Sequence, residues 1–228
     1  MTDGTFAAPE PPADPVALAE EERAYAALAD AVRDLVDASV RTRATPEQVG
    51  EWTAQAQALA DVLSASAQPG PLGLEVSSDG MLRDHGNPAV GARNPIAPPL
   101  HITKDPEGRA ETTFTVGAAY EGPPGHLHGG MIALVLDQVL GTVPMVIGVP
   151  GLTANLSVTY RRPTPLGTLT CEAWVAERGD WKTSVEGVMR DPQGRVTAEA
   201  QAVFVLPRWA RDRAGHPIGD AGEFPSLS

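Results

Sequence analysis

The sequence predicts an α+β fold in which an antiparallel sheet wraps around one central helix, with a helical extension at the N-terminus. One strand candidate precedes a single strongly apolar helix, and four more strand candidates follow it, joined by short turns. Two amphipathic helix candidates come first in the chain, and a segment rich in proline and glycine separates them from the strands.

The extension is expected to be an antiparallel helical hairpin over residues 16–67, after a disordered lead-in at residues 1–15. In the first helix apolar residues recur at steps of three, four or seven, at Leu18, Tyr25, Leu28, Val32, Leu35 and Val36. The second helix has Thr45 as its N-cap and Pro46 at its first position. Its apolar stripe consists of Val49, Trp52, Ala56, Leu59 and Leu63. A structural cap or an oligomer contact is the expected role of this extension.

The main domain is predicted over residues 101–207, with a Pro/Gly-rich connector at 68–100 before it and a tail at 208–228 after it. The central helix is expected from Gly129 to about Val143. The expected strands are Glu111–Tyr120, Leu152–Tyr160, Gly167–Glu177, Trp181–Arg190 and Val196–Leu206.

The charge balance restricts the partners that the chain can attract. Its 228 residues include 29 acidic and 17 basic side chains, a formal net charge of −12. Such a chain repels polyanions, so nucleic acid is not expected as a partner, and an anionic small ligand needs a local basic patch. The N-terminus is acidic and rich in proline, unlike a secretory signal, and the apolar stretch Met131–Leu156 is interrupted by Asp137, glycines and prolines. We therefore expect a cytoplasmic protein with no membrane span.

Asp137 is the only charged residue between His128 and Arg161, within a helix that is apolar on nearly every side. The pattern predicts a helix buried all round, and a buried carboxylate is costly unless it is hydrogen-bonded. Small residues share the helix face of Asp137, namely Gly130, Ala133 and Gly141. This face leaves room for a substrate or for a second copy of the helix. The alternative is a structural acid that caps a neighbouring backbone.

The start of this helix is the second candidate feature. In His128-Gly129-Gly130 the backbone N–H groups have no intrahelical partners, and glycines let another molecule's oxygen come close to them. Donors placed in this way can stabilise a developing oxyanion.

The segments GPPGHLHGGMIALVLDQVLG and GLTANLSVTYRRPTPLG resemble the signature of PaaI-like hotdog-fold acyl-CoA thioesterases, in the subgroup with a GPPG-x-x-HGG loop and a TANL strand. The resemblance spans about residues 94–206. It implies a hotdog fold, an acyl-CoA substrate, no cofactor and active sites formed by paired subunits. It implies that Asp137 is the catalytic acid and that His128 and the Gly129 N–H polarise the thioester carbonyl. It also implies that Thr153 helps to place the water or the substrate.

One position departs from the family pattern. Other PaaI-like members have an asparagine six residues before the motif histidine, where this chain has Gly122. That role is therefore either absent here or taken by His126 or Asn155. His126, Asn155 and Gly130 are the expected substrate contacts around the helix start.

Arg161 and Arg162 are either two solvated arginines at a strand end or a basic lip for the phosphates of coenzyme A. His126 and His128 lie two residues apart, but no third ligand has suitable spacing, so no metal site is expected. Cys171 is the only cysteine, which leaves no disulfide, and it is expected to be a small buried apolar residue.

These observations predict hydrolysis of acyl-CoA thioesters, with Asp137 as general base or nucleophile. The alternatives are a hotdog hydratase/dehydratase acting on acyl thioesters and a non-catalytic acyl-CoA-binding module. Gly129 and Asp137 are eight residues apart, about 12 Å along a helix, so one helix cannot bring both to a single carbonyl carbon. We therefore expect a homodimer, or a dimer of dimers, with active sites shared between subunits.

Overall fold

The computed structural model describes residues 12–98 and 100–206. The predicted tail at 208–228, and residues 1–11 of the predicted lead-in, lie outside this range. The helices are α1 (Pro15–Arg41), α2 (Pro46–Ala65) and α3 (Gly129–Val146), and a 3-10 turn spans Ala118–Tyr120. The strands are β1 (Glu75–Val76), β2 (Leu82–Arg83), β3 (Thr103–Asp105), β4 (Arg109–Val116), β5 (Leu152–Tyr160), β6 (Gly167–Arg178), β7 (Lys182–Arg190) and β8 (Val196–Val205).

The main sheet has six antiparallel strands in the order β3-β4-β6-β7-β8-β5, and α3 packs against one of its faces. This arrangement confirms the predicted fold class. Strands β6, β7 and β8 are joined by short turns, while β5 follows α3 and lies at the edge beyond β8. The edge position of β5 matters for the site, because it places this strand beside α3.

The core lies between α3 and the inner face of the sheet. In β4 buried and exposed residues alternate strictly, so that Ala110, Thr112, Phe114 and Val116 face inward. On α3 the buried residues recur at helical spacing and include Ile132, Val135, Leu136, Val139, Leu140 and Val143. Gly187 of β7 allows a close approach of helix and sheet, since a Cβ there would lie 2.5 Å from Leu140 Cδ1.

Helix α3 differs from its prediction in two respects. It continues unbroken to Val146 with Pro144 in its last turn, and it is long and apolar enough to span a membrane by length and composition. In this fold it is the core helix. It is also not buried all round, because Gly130, Met145 and other residues outside its sheet-facing side stay partly or fully exposed. Its apolar surface therefore exceeds what one sheet can cover.

Helix α1 contacts the body through polar and small side chains as well as through part of its apolar stripe, since Leu18, Leu28 and Val32 are partly buried. Glu22 accepts hydrogen bonds from the Ser78 backbone N–H and hydroxyl, the latter at 2.6 Å. Asp37 accepts one from the Ala118 N–H at 3.0 Å, and Ala29 is the buried residue of the helix. Much of the predicted stripe is exposed, including Tyr25, Leu35 and Val36.

Helix α2 corrects the predicted hairpin. Thr45 and Gln48 form the capping box at its start, as the predicted N-cap requires, but every residue of the helix is exposed. The apolar stripe, including Trp52 and Leu59, is therefore uncovered, and α2 does not fold back onto α1. The residues that flank the connection, Thr42 and Thr45, both have extended backbone. The periodicity identified the apolar faces correctly but could not identify what covers them.

The connector forms a strap against the body. It contains the short β1–β2 hairpin, which the sequence analysis did not predict. Ala89 and Leu100 reach the main hydrophobic core. Ser77 and His85 are buried where the strap meets α1, with 3.2 Å between Ser77 Oγ and His85 Nε2.

Candidate active site

The loop before α3 is a compact turn that fixes the helix start. The Gly122 N–H donates to the His126 carbonyl, and Gly125 has a φ of +75°, which favours glycine. The Leu127 N–H donates to the Thr164 carbonyl, which ties the loop to the segment after β5. The His128 N–H donates to Tyr120 O at 3.0 Å, so the backbone enters α3 in a fixed direction.

The Gly129 N–H is the unoccupied donor at this helix start. Met131 and Ile132 both donate to the His128 carbonyl, and Gly130 N–H donates to His128 Nδ1 at 3.0 Å. Within residues 12–98 and 100–206, the Gly129 N–H has no acceptor. A free N–H at a helix N-terminus, flanked by a second glycine, can donate a hydrogen bond to an anionic oxygen. The predicted oxyanion donor is thus available to a ligand, and its role stays a prediction.

His128 is held as the N-cap of α3. Its Nδ1 accepts the Gly130 N–H, so in the neutral ring the proton is on Nε2. The side chain is exposed, which leaves Nε2–H available as a second donor beside the Gly129 N–H.

Asp137 lies two turns further along α3 and contacts β5. The Thr153 hydroxyl donates to Asp137 Oδ1 at 3.0 Å, which joins the two predicted catalytic side chains. Asp137 is only partly buried, so the prediction of a buried acid is wrong for the single chain. The cause is the same as for α3 as a whole, since the sheet covers one side of the helix and Asp137 lies outside it. With Oδ1 occupied, Oδ2 is available for a water molecule.

A β-bulge brings Thr153 to Asp137. Thr153 pairs with Phe204 and Asn155 pairs with Val203, so Ala154 is an extra residue in the ladder. Leu156 and Val158 both pack against the core from the inner face of β5. A regular alternation from these residues would point Thr153 to the opposite face. The extra residue reverses the alternation and turns Thr153 towards the helix.

Tyr160 at the end of β5 is a residue of the site that the sequence analysis missed. It shares the alternation of Leu156 and Val158, and its hydroxyl donates to the Gly129 carbonyl at 2.9 Å. Strand β5 therefore runs antiparallel to α3, with Thr153 beside Asp137 and Tyr160 beside the helix start. The period-2 pattern of the strand was the signal that could have identified it.

The remaining predicted substrate contacts are less closely connected to the site. The ring Nδ1 of His126 lies 2.8 Å from Pro124 O, within its own loop. Asn155 is exposed and follows the bulge. A Cβ at Gly122 would lie 2.8 Å from His128 Cα, so the loop as folded has no room for the asparagine of the family pattern. Neither His126 nor Asn155 is brought to Asp137 or Gly129 by a hydrogen bond in the described chain.

Arg161 and Arg162 follow Tyr160 directly but differ in their partners. Arg161 binds Glu199 through Nε and Nη2, at 3.0 and 2.7 Å, and this hydrogen bond raises the pKa of Arg161 and lowers the pKa of Glu199. Arg162 donates to the Val196 carbonyl at 2.8 Å and has no carboxylate partner among the described residues. Arg162 is therefore the more available cation for an anionic group.

Two further predictions concern a metal site and Cys171. No group of three or more His, Cys, Asp or Glu side chains is arranged to hold a metal ion in residues 12–98 and 100–206. Cys171 is buried in β6, and burial raises the pKa of its thiol, which disfavours the reactive thiolate. Its location agrees with the predicted role as a small core residue.

The chain is similar to known thioesterases. A family model described as the thioesterase superfamily matches residues 124–198, which include both ends of the site. A crystal structure of a thioesterase superfamily protein superposes with a TM-score of 0.72 and 31% sequence identity, covering 86% of this chain and 97% of that protein.

Two curated relatives are similar over a shorter segment. The acyl-coenzyme A thioesterase THEM4 of Mus musculus is 43% identical over 60 residues, and that of Xenopus laevis is 43% identical over 61. These segments cover 26% and 27% of this chain. The match spans only 26% and 28% of the length of the two relatives.

Proposed function

The chain belongs to the thioesterase superfamily, and from this premise we propose that it hydrolyses acyl-CoA thioesters to a free acid and coenzyme A. The observation that carries the proposal is the pairing on α3 of an unoccupied Gly129 N–H with a Thr153-bound Asp137 carboxylate. One is a donor for a developing oxyanion and the other is a base for water, the two requirements of acyl-transfer hydrolysis.

In the proposed reaction Asp137 removes a proton from water through its Oδ2. The Thr153 hydroxyl bond fixes Oδ1, so the carboxylate keeps one orientation while the water attacks the thioester carbon. A direct attack by the carboxylate would form a mixed anhydride that water then hydrolyses, and the same orientation serves that route. In either route the sulfur leaves as the thiol of coenzyme A.

The carbonyl oxygen is proposed to bind at the start of α3. The Gly129 N–H is the first donor, and His128 Nε2–H is the second. Both gain strength as the oxygen becomes negative, which lowers the barrier instead of only binding the substrate.

We further propose that each site is shared by two copies of the chain. About 12 Å separates Gly129 from Asp137 along the α3 axis, too far for both to reach one thioester group. Two copies related by a twofold axis would place the Asp137 of one beside the Gly129 of the other. The partly open face of α3 supports this arrangement, as does the outer edge of β5, which pairs with no further strand among residues 12–98 and 100–206. Gly141 makes room within its own chain instead of for a partner, since a Cβ there would lie 3.4 Å from Phe204 Cε1.

The direct test is thiol release from a panel of acyl-CoA substrates of different chain length, measured beside enoyl-CoA hydration at the same enzyme concentration. Thiol release without hydration is the expected result. Hydration without thiol release would replace the proposal with the hydratase alternative. Saturable acyl-CoA binding with neither reaction would show that the protein is a non-catalytic acyl-CoA-binding module.

Arg161 and Arg162 are proposed to contact the phosphates of coenzyme A. Replacing both with alanine should raise KM for acyl-CoA about fivefold, and raise it much less for the same acyl group on a short neutral thiol. The difference should shrink in high salt, because exposed charges are screened. Arg190→Ala is the control, since it removes a half-buried arginine paired with Glu172 at 2.8 Å, away from the site. Equal effects on both substrates would leave the two arginines as solvated strand-end residues.

A further inference from the structure

The peptide group between Gly129 and Gly130 is held at both of its ends. Its carbonyl accepts the Tyr160 hydroxyl at 2.9 Å, and its N–H donates to His128 Nδ1 at 3.0 Å. The three groups form a directed chain that runs from Tyr160 Oη–H, through the peptide, to the imidazole. We call this the Tyr160–His128 chain.

Burial does not account for the Tyr160 bond. Tyr160 is 53% exposed, so water could solvate its hydroxyl at little cost if the bond were absent. The Gly129 carbonyl also lies in the first turn of α3, where the backbone N–H four residues later is its donor. The bond therefore calls for an explanation other than satisfying a buried polar atom.

Conformational freedom provides that explanation. Two consecutive glycines let a ligand approach the helix start, but they are also the most flexible pair of residues in a chain. Donors stabilise a developing charge best when their position is fixed before the reaction. A hydrogen bond at each end of the Gly129–Gly130 peptide restricts its rotation, so the pair stays open to a ligand while its backbone keeps one orientation.

The chain also determines the state of His128. The Tyr160 hydroxyl polarises the Gly129–Gly130 peptide by donating to its oxygen. This polarisation strengthens the hydrogen bond from the Gly130 N–H to His128 Nδ1. A stronger hydrogen bond from the Gly130 N–H to Nδ1 favours the tautomer that carries its proton on Nε2. Beside this ring the backbone of Gly122 leaves space, since a Cβ there would lie 3.2 Å from His128 Cδ2.

We propose that Tyr160 is a positioning residue, which acts through the Gly129–Gly130 peptide to present His128 Nε2–H and the Gly129 N–H to the same substrate oxygen. This inference rests on the proposed thioester hydrolysis. Tyr160 itself does not touch the reacting atoms in this proposal, and its contribution is the orientation of the two donors.

The kinetic test is Tyr160→Phe, which removes only the hydroxyl. Because the side chain is half exposed, the variant is expected to fold, and its Tm should confirm this. We expect kcat for acyl-CoA to fall about tenfold, with KM changed less than about twofold, because the donors act mainly on the transition state. Tyr120→Phe is the matched control, since it also removes a tyrosine hydroxyl bonded to a backbone carbonyl, that of Ile96 at 3.2 Å, and keeps the Tyr120 backbone carbonyl that binds the His128 N–H. An unchanged kcat, or an equal loss in both variants, would overturn the proposal.

The second readout needs no turnover. Long-range ¹H–¹⁵N spectra report which ring nitrogen of a histidine carries the proton, and the His128 signals can be assigned by their loss in His128→Gln. The wild type should show His128 protonated on Nε2, and Tyr160→Phe should show a larger share of the Nδ1–H form, whereas Tyr120→Phe should not. A tautomer shift in a protein that releases no thiol would support the Tyr160–His128 chain and reject the proposed function. If the wild type releases thiol and Tyr160→Phe changes neither kcat nor the tautomer, the role of Tyr160 is rejected and the proposed function stands.

Discussion

Asp137→Asn is expected to lose at least about 100-fold in kcat, the usual scale for removal of a general base. The amide keeps the size of the side chain and can still accept the Thr153 hydroxyl bond of 3.0 Å, but it cannot take a proton from water. Asp137 is partly exposed, so the variant should keep the wild-type Tm within a few degrees. The measurements are thiol release at saturating acyl-CoA and thermal unfolding of the same preparation.

The control for this substitution is Asp61→Asn. Asp61 is an exposed carboxylate on α2 that accepts a hydrogen bond from Gln57, so the same chemical change is made on a helix that does not contact the site. It should leave kcat unchanged. Near-wild-type thiol release by a folded Asp137→Asn protein would remove Asp137 from the reaction and reopen the choice of base.

The sequence was sufficient for the elements whose pattern reflects local rules. The alternation of β4, the N-cap at Thr45 and the apolar run of α3 each follow from periodicity or capping, and each is present. Their ends were predicted less well, since β4 stops at Val116 before a 3-10 turn at Ala118–Tyr120 and α3 continues to Val146. The Asp137–Thr153 contact was accessible only through the family resemblance. Its geometric cause, the bulge at Ala154, has no signature in the residue types, because any residue can be the extra one in a ladder.

The contacts of the N-terminal helices could not be predicted, for a different reason. Amphipathic analysis assumes that the apolar stripe faces the body, but α1 docks through Glu22, Asp37 and Ala29 and leaves Leu35 exposed. Charged side chains can hold a helix when they meet specific backbone donors, and nothing in a single stripe reveals those donors. For Tyr160 the alternation of β5 indicated the face on which it lies, but not its partner, which is a carbonyl thirty-one positions earlier in the chain.

The shared-site dimer leads to the second large effect. Asp137→Asn and Gly129→Val should each be inactive alone, the first without a base and the second with the carbonyl site blocked. Outside its own helix turn, the atoms nearest to a Cβ at Gly129 belong to Tyr160, at 3.4 Å or more, so the valine variant should fold. If Asp137 and Gly129 of one site come from different copies, a mixed dimer holds both lesions in one site and none in the other. Random exchange of equal amounts should then restore about a quarter of wild-type activity.

The experiment requires proof that the subunits exchange. One variant is isotope-labelled, and native mass spectrometry follows the mixed species while thiol release is measured on the same samples. The restored activity should rise with the fraction of mixed dimers, whereas each variant incubated with its own labelled copy stays inactive. If mixed dimers form and the mixture remains inactive, Asp137 and Gly129 do not belong to one shared site. In that case the 12 Å between them along α3 would have to be bridged by a second base or a second oxyanion donor within each chain.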